Sequence, residues 1–393
     1  MKSVFLAGAV RTPIGKFGGA FDKVTAVELG TIAAKEAMIC AGIKADVVDE
    51  LIFGNARQAG SGPNPARQIA HKAGIPFTAP AFTVNKACGS ALKSIIHAYQ
   101  AIVFGDDDVV LAGGTENMSR VPFMIEDMRW GFRMGHQTLL DGMYRDGFLC
   151  PLSNMVMGET AEKLAEIYGI SREEQDRYAT QSQNRCEAAK KKGLWKEEIV
   201  PVPIAGKKGE TTFVENDEHP RDGVTVESMA KLPPVFKKGG TIHAGNSSGI
   251  TDGAAAIVVV SEEKAKKLGV NPMARIVAYT TAGVDPTIMG IGPVPVVKKL
   301  LANTKLTLKD IDLIEVNEAF AAQVLACDRE LHFDMEKTNV NGGAIALGHP
   351  IGCTGARIVV TLLHEMKRRK SRYGLATLCI SGGMGMAMLL ESV

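Results

Sequence analysis

A chain of 393 residues can bury a large core and has room for two domains or two related halves. Its 45 Lys and Arg are offset by 43 Asp and Glu without a one-signed block, which excludes the electrostatic footprint of a nucleic-acid binder. Seven cysteines without a C-x-x-C pair give neither a disulfide framework nor a zinc site, and no apolar run approaches the roughly 20 residues that span a bilayer.

The chain opens on MKSVFLAGAVRTPIG, whose apolar run is too short for a signal peptide and meets Arg11-Thr12-Pro13. It reads as a first buried strand and turn. VVDELIFGNA (47–56) is the next strand, ending in a polar turn. FTVNKACGSALKSIIHAYQAI (82–102) is a strand ending in Val84-Asn85, a small-residue turn carrying Cys88, and an amphipathic helix. DVVLAGGTENMS (108–119) is a buried strand. From about 120 to 249 the rhythm breaks into a long excursion that covers the strand ends. Within it Ser171, with Glu174 three residues on, forms a capping box, and a polar stretch holds Pro201, Pro203, Lys207 and Lys208. VSEEKAKKLGVNP (260–272) closes the first half, with Gly269 and Pro272 as stop signals.

The same order then returns. DIDLIEVNEA (310–319) resembles 47–56, TNVNGGAIALGHPIGCTGARIVVTLLHEM (338–366) resembles 82–102, and LATLCISGGMGMAM (375–388) resembles 108–119. The basic cluster from Lys367 to Arg372 reads as a solvated, dipole-favourable helix end. Alternating strands and helices predict an α/β fold with right-handed parallel crossovers. The halves divide at 1–268 and 269–393, with the excursion at about 120–249 inserted in the first. Ligand-binding turns in such sheets lie at the carboxyl ends of strands, where Cys88, Asn317, His349 and Cys379 all fall. A pseudo-twofold pairing of the halves brings these ends together.

A free thiol has a pKa near 8.5, and a helix N-terminus favours its anion by about 0.3–1 kcal/mol. At about 1.36 kcal/mol per unit this lowers the pKa by less than one unit, so Cys88 needs a histidine or another donor. Gly89, Ser90 and Ala91 leave room for a carbonyl to approach the sulfur. His349, held in Gly-His-Pro, suits a positioned base. Together with Cys379 these residues point to nucleophilic acyl chemistry. No carboxylate pair or H-x-x-x-H marks a metal, and there is no P-loop.

The motifs VNKACGSALKS, NEAFAAQ, NVNGGAIALGHPIG and LCISGGMG, in this order over essentially the whole chain, resemble the thiolase family. The resemblance implies two duplicated halves layered αβαβα with an inserted loop domain. It implies reversible Claisen condensation of two acetyl-CoA to acetoacetyl-CoA plus CoA, or, as the alternative, cleavage of longer 3-ketoacyl-CoA in β-oxidation. By position Cys88 resembles the acyl-accepting nucleophile and Cys379 the acid/base at the second acyl methyl. His349 resembles the activator of Cys88, and Asn317 the holder of an oxyanion-site water. The backbone N–H groups of Cys88 and Ser381 match the donors to the acylated thioester. Arg221, Ser228, Ala244, Ser248 and Phe320 match coenzyme A contacts, and Met157 and Met289 match the acyl pocket. Coenzyme A thioesters are then substrates, without a further cofactor or a metal. The family further implies a cytoplasmic homotetramer with 120–145 as a contact. Three departures stand out: Val156 where short-chain thiolases carry histidine, Ser381 for a glycine, and Thr115 for a methionine. If position 381 needs a positive φ, its serine is strained.

Overall fold

Strands form where apolar, β-branched runs meet turn residues. The computed structural model describes residues 2–206 and 210–393, so Lys207 and Lys208 lie outside the described residues. In chain order the main strands are β1 (Val4–Arg11), β2 (Glu50–Gly54), β3 (Ala81–Val84), β4 (Val109–Asn117) and β5 (Thr251–Ser261) in the first half. The second half holds β6 (Ala274–Gly283), β7 (Leu313–Val316), β8 (Tyr373–Ile380) and β9 (Met384–Ser392). They form one sheet in the order β7-β8-β9-β6-β1-β5-β4-β2-β3, with Gly15–Lys16 added beside β5.

Read outward from the β1–β6 contact, the two sides match: antiparallel, antiparallel, then parallel. The duplication is therefore structural. The counterpart of β3 has shrunk to one parallel bridge between Ile314 and Thr338. The expected parallel crossovers hold only within β2, β3 and β4 and within β7 and β8. The sheet is mixed because β9 returns directly from β8 through a tight turn at Ser381-Gly382-Gly383, and antiparallel neighbours need no crossover. In the first half the link between the matching β4 and β5 is the excursion at about 120–249. The covering segment thus stands where the second half has three turn residues.

Helices α1 (Ala26–Ala41), α2 (Pro65–Lys72), α3 (Ser90–Phe104), α4 (Met157–Ile167) and α5 (Arg172–Lys191) precede α6 (Pro293–Thr304), α7 (Ala321–Leu331) and α8 (Ile351–Arg369). Strand alternation sorts side chains by face. Val110, Ala112, Leu378 and Met388 face α3 and α8, which form the central layer. Val109, Leu111 and Phe53 face α1 and α2, while Leu375 and Leu389 face α6 and α7. The result is the expected αβαβα layering. The Ser171–Glu174 capping box forms on α5, with Glu174 Oε2 accepting from Ser171 N–H at 2.8 Å. The basic end of α8 is less free than expected, because Arg368 and Arg369 both pair with Glu365 and Arg372 pairs with Glu391. Thr115 bonds Ala26 O at 2.6 Å, so its hydroxyl ties β4 to the start of α1. Among the described residues no helix is long and apolar enough to cross a membrane.

Candidate active site

Between β3 and α3 the chain turns through Ala87, a non-glycine residue at φ 46°. Hydrogen bonds hold this left-handed backbone. Asn85 Oδ1 accepts from Ala87 N–H at 3.1 Å, and Ser90 Oγ accepts from Lys86 N–H at 2.8 Å while donating to Ala87 O at 2.6 Å. Gly89 is small for packing: a Cβ there would lie 2.5 Å from Ile380 Cδ1 and 2.9 Å from Met386 Sδ. The turn so packed against β8 and β9 leaves Cys88 partly exposed. Burial among its neighbours pushes the Cys88 thiol up, against the N–H groups of Ser381 and Cys88 itself and the Arg57 charge, while the Glu116 carboxylate adds to the rise. The resting group is a thiol, because burial outweighs the small lowering that the helix end supplies.

Cys379 lies near the end of β8 and belongs to the apolar cluster that also holds Met289, Ala319 and Phe320, with the partly buried Met157 and Phe236 packed against that cluster. Burial, then the neighbouring Cys88 and Cys327, push its thiol well above the ordinary range. In the following turn the left-handed positions are Gly382 (φ 84°) and Gly383 (φ 81°), not Ser381. The serine therefore carries none of the strain feared for it, and its N–H points at Cys88 Sγ.

His349 stands between the short helix Ala344–Leu347 and α8, with its N–H on Gly249 O at 3.0 Å. Its ring is buried, with Nδ1 at 2.6 Å from Thr354 Oγ1 and Nε2 without a partner within the protein. Burial, then the charges of Arg357 and Arg57, push its pKa down to about 3, so the imidazole is neutral near pH 7. Asn317 follows β7 and donates its N–H to Thr377 O at 3.0 Å, on the strand that carries Cys379. Helix α7 starts only at Ala321, so Asn317 is not its cap. Both polar atoms of the Asn317 side chain are buried without a protein partner. Leaving such a group unpaired costs roughly 1–3 kcal/mol. Asn317 and His349 thus each hold buried side-chain polar atoms without a protein partner, which such groups ordinarily have.

The segment 246–249 joins these parts. Ser248 N–H donates to Ala319 O at 3.0 Å, and Ala321 N–H donates to Asn246 O at 2.9 Å. Ser248 and Phe320 therefore border Asn317 and His349. Phe320 packs edge to face on Phe236, and Met157 and Met289 share the apolar cluster of Cys379. Arg221, Ser228 and Ala244 are exposed farther out on the covering segment. Arg221 N–H donates to Gln183 Oε1 at 3.0 Å and Ser228 Oγ to Thr225 O at 2.7 Å, bonds that stay within that segment. Val156 caps α4 through its backbone and brings no polar side chain.

Three buried supports escaped the sequence reading. Glu318 accepts from Tyr178 Oη at 3.0 Å, Ser182 Oγ at 2.7 Å, Asn339 Nδ2 at 2.9 Å and Ile345 N–H at 3.1 Å, clamping α5 and the approach to His349 onto the end of β7. Glu116 accepts from Asn55 Nδ2 at 2.8 Å, Ala56 N–H at 3.1 Å and Gly352 N–H at 2.9 Å, bracing the start of α8 across the halves. Arg357 faces Glu315 at 3.4 Å, and burial pushes the Glu315 carboxyl up to about 8. The signal for Glu318 was its place beside Asn317 in NEAFAAQ, and that for Glu116 was ENMSR. Among the described residues no group of three or more His, Cys, Asp or Glu is arranged to hold a metal ion.

Comparison with known proteins places this geometry. The family description "Thiolase, N-terminal domain" matches residues 4–263 and "Thiolase, C-terminal domain" matches 270–392. The chain is 53% identical to an acetyl-CoA acetyltransferase of Syntrophomonas wolfei, over the full length of both. It superposes on the crystal structure of the Bacillus anthracis acetyl-CoA acetyltransferase with TM-score 0.98 at 46% identity, covering 100% of this chain and 99% of that one. Human mitochondrial 3-ketoacyl-CoA thiolase in complex with CoA gives TM-score 0.96 at 44% identity, covering 100% and 98%.

Proposed function

The chain belongs to the thiolase family, and on that premise we propose that it is an acetyl-CoA C-acetyltransferase, condensing two acetyl-CoA reversibly to acetoacetyl-CoA and CoA. The observation that carries the reading is the pairing of Cys88 and Cys379 at one set of strand ends, flanked by the unpartnered His349 Nε2 and Asn317 amide. Two thiols and one neutral imidazole balance the protons of both steps. In the first, Cys88 Sγ attacks the thioester carbonyl while its proton passes to His349 Nε2. The CoA thiolate leaves with the proton of Cys379. In the second, the Cys379 thiolate takes a proton from the methyl of another acetyl-CoA, and the enolate attacks acetyl-Cys88. The released Cys88 thiolate recovers its proton from His349.

An imidazole whose basicity burial has lowered takes the thiol proton more readily as negative charge gathers on the substrate oxygen. The imidazolium then sits beside that oxygen, so proton transfer and oxyanion stabilisation are one event. A water on Asn317 supplies a second donor. The N–H groups of Cys88 and Ser381 serve the oxygen of the acetylated thiol. Coenzyme A runs from Ser248 and Phe320 outward to Ala244, Ser228 and Arg221, with Met157 and Met289 limiting the acyl group. It is a substrate, and the chemistry needs no further cofactor.

The second reading, a 3-ketoacyl-CoA thiolase of broader chain length in fatty acid breakdown, draws on the likeness to the human enzyme and on Val156 in place of an imidazole. Thiolysis of acetoacetyl-CoA is expected to exceed that of a ten-carbon ketoacyl-CoA in kcat/KM by at least about tenfold, the lower end of what misfitted methylenes cost a pocket. A preference for the longer substrate selects the second reading.

The division at 268/269 is supported by Gly269, the left-handed cap of the helix Glu262–Leu268. The loop domain occupies about 120–249. A homotetramer is supported by one apolar hairpin within 120–145, where Trp130 is 85% and Met134 93% exposed, with Phe123, Met128 and Leu139 beside them. Light scattering is expected to read four subunits, and a monomer overturns this. The free cysteines fit a reducing, cytoplasmic setting.

A further inference from the structure

Which nitrogen of His349 carries the proton decides whether the ring accepts or donates at the reacting sulfur. The surrounding hydrogen bonds answer this. Nδ1 lies 2.6 Å from Thr354 Oγ1, and the same Oγ1 lies 3.0 Å from the carbonyl of Pro350, four residues back in the first turn of α8. A hydroxyl has one proton. If Thr354 spent it on Nδ1, its oxygen would face the Pro350 oxygen at 3.0 Å with no hydrogen between them, and the buried Nε2–H would have no acceptor in the protein. With the chain running Nδ1–H to Thr354 Oγ1 and Thr354 O–H to Pro350 O, every hydrogen near the ring is used. Only the Nε2 lone pair is left open.

We propose that Thr354 is a positioning residue that holds the proton of His349 on Nδ1 and so presents Nε2 as a bare acceptor to the Cys88 thiol. The inference rests on the roles proposed for Cys88 and His349. Thr354 is buried on a helix whose first turn is fixed at both ends: Gly352 N–H on Glu116, and His349 N–H on Gly249 O. A flip of the ring would put a carbon where Nδ1 now meets Thr354 Oγ1, so that bond fixes the ring orientation. The charged groups near the ring, Arg357 from α8 and Arg57 from the turn after β2, oppose an imidazolium. When Nε2 does take the thiol proton, the Nδ1–H already has its acceptor, so no rearrangement accompanies the step.

Thr354→Val removes the oxygen and keeps the shape, whereas Thr354→Ser keeps the oxygen and loses a methyl. The valine variant is expected to alkylate Cys88 with iodoacetamide about a hundredfold more slowly at pH 7, the low end of what a positioned base contributes. The serine variant is expected to stay near wild type. Equal loss in both variants, or none in the valine variant, overturns the proposal. Should the valine variant fail to fold, nitrogen NMR of histidine-labelled wild-type protein decides: a proton on Nδ1 supports the assignment and a proton on Nε2 overturns it. These readouts need no acetyl-CoA. A protein with Nδ1–H that never acetylates Cys88 keeps the tautomer and loses the proposed activity, and the converse result separates them the other way.

Discussion

Cys88→Ser is expected to abolish acetyl uptake, lowering acetoacetyl-CoA formation by at least about ten-thousandfold, as loss of a nucleophile does elsewhere. The turn itself survives, because serine is near the size of cysteine and the strained Ala87 is held by Asn85 and Ser90. What is lost is acidity. His349, pushed down to about 3 by burial and two arginines, is too weak a base to draw a proton from a hydroxyl, whereas a thiol starts several units closer. Intact mass after mixing with acetyl-CoA is the measurement. Wild type gains one acetyl group on Cys88 and the serine variant gains none; an unchanged adduct places the acetyl group elsewhere and removes Cys88 from the chemistry.

The order of elements in both halves was readable because duplication repeats whole strand–turn–helix units. The residues at their ends, Cys88, Asn317, His349 and Cys379, were readable because small and polar residues interrupt apolar runs there. Strand direction was not. The run in β9 is as apolar as that in β8, and nothing in its composition says that it doubles back through Ser381-Gly382-Gly383 instead of following a crossover. The second-half partner of β3 was read as a strand from TNVN, yet only Thr338 bridges, because Asn339 turns its side chain to Val316 and Glu318. Ionisation was also out of reach. Helix position predicted a small lowering of the Cys88 pKa, but the neighbours that reverse this, β8, β9 and Glu116, come from distant parts of the chain. Ser381 shows the opposite case: a glycine-like position in the sequence proves ordinary in backbone conformation, since the two following glycines make the turn.

Cys379→Ser separates the two half-reactions. Serine is near the size of the cysteine it replaces, and the Cys88 turn is held by its own bonds to Asn85 and Ser90, so the substitution leaves that turn in place. Acetylation of Cys88 is therefore expected to proceed, slowed because the leaving CoA thiolate loses its proton donor. Condensation is expected to fall by about a thousandfold, within the range a positioned base contributes. The cause is the proton account: a serine hydroxyl in that apolar wall does not become the anion that must take a proton from the second acetyl-CoA methyl. The two signals are the acetyl adduct by mass and acetoacetyl-CoA by absorbance. An accumulating adduct without product fits the assignment. Equal loss of both makes Cys379 necessary for acetylation itself, and the division of roles between the two cysteines then fails.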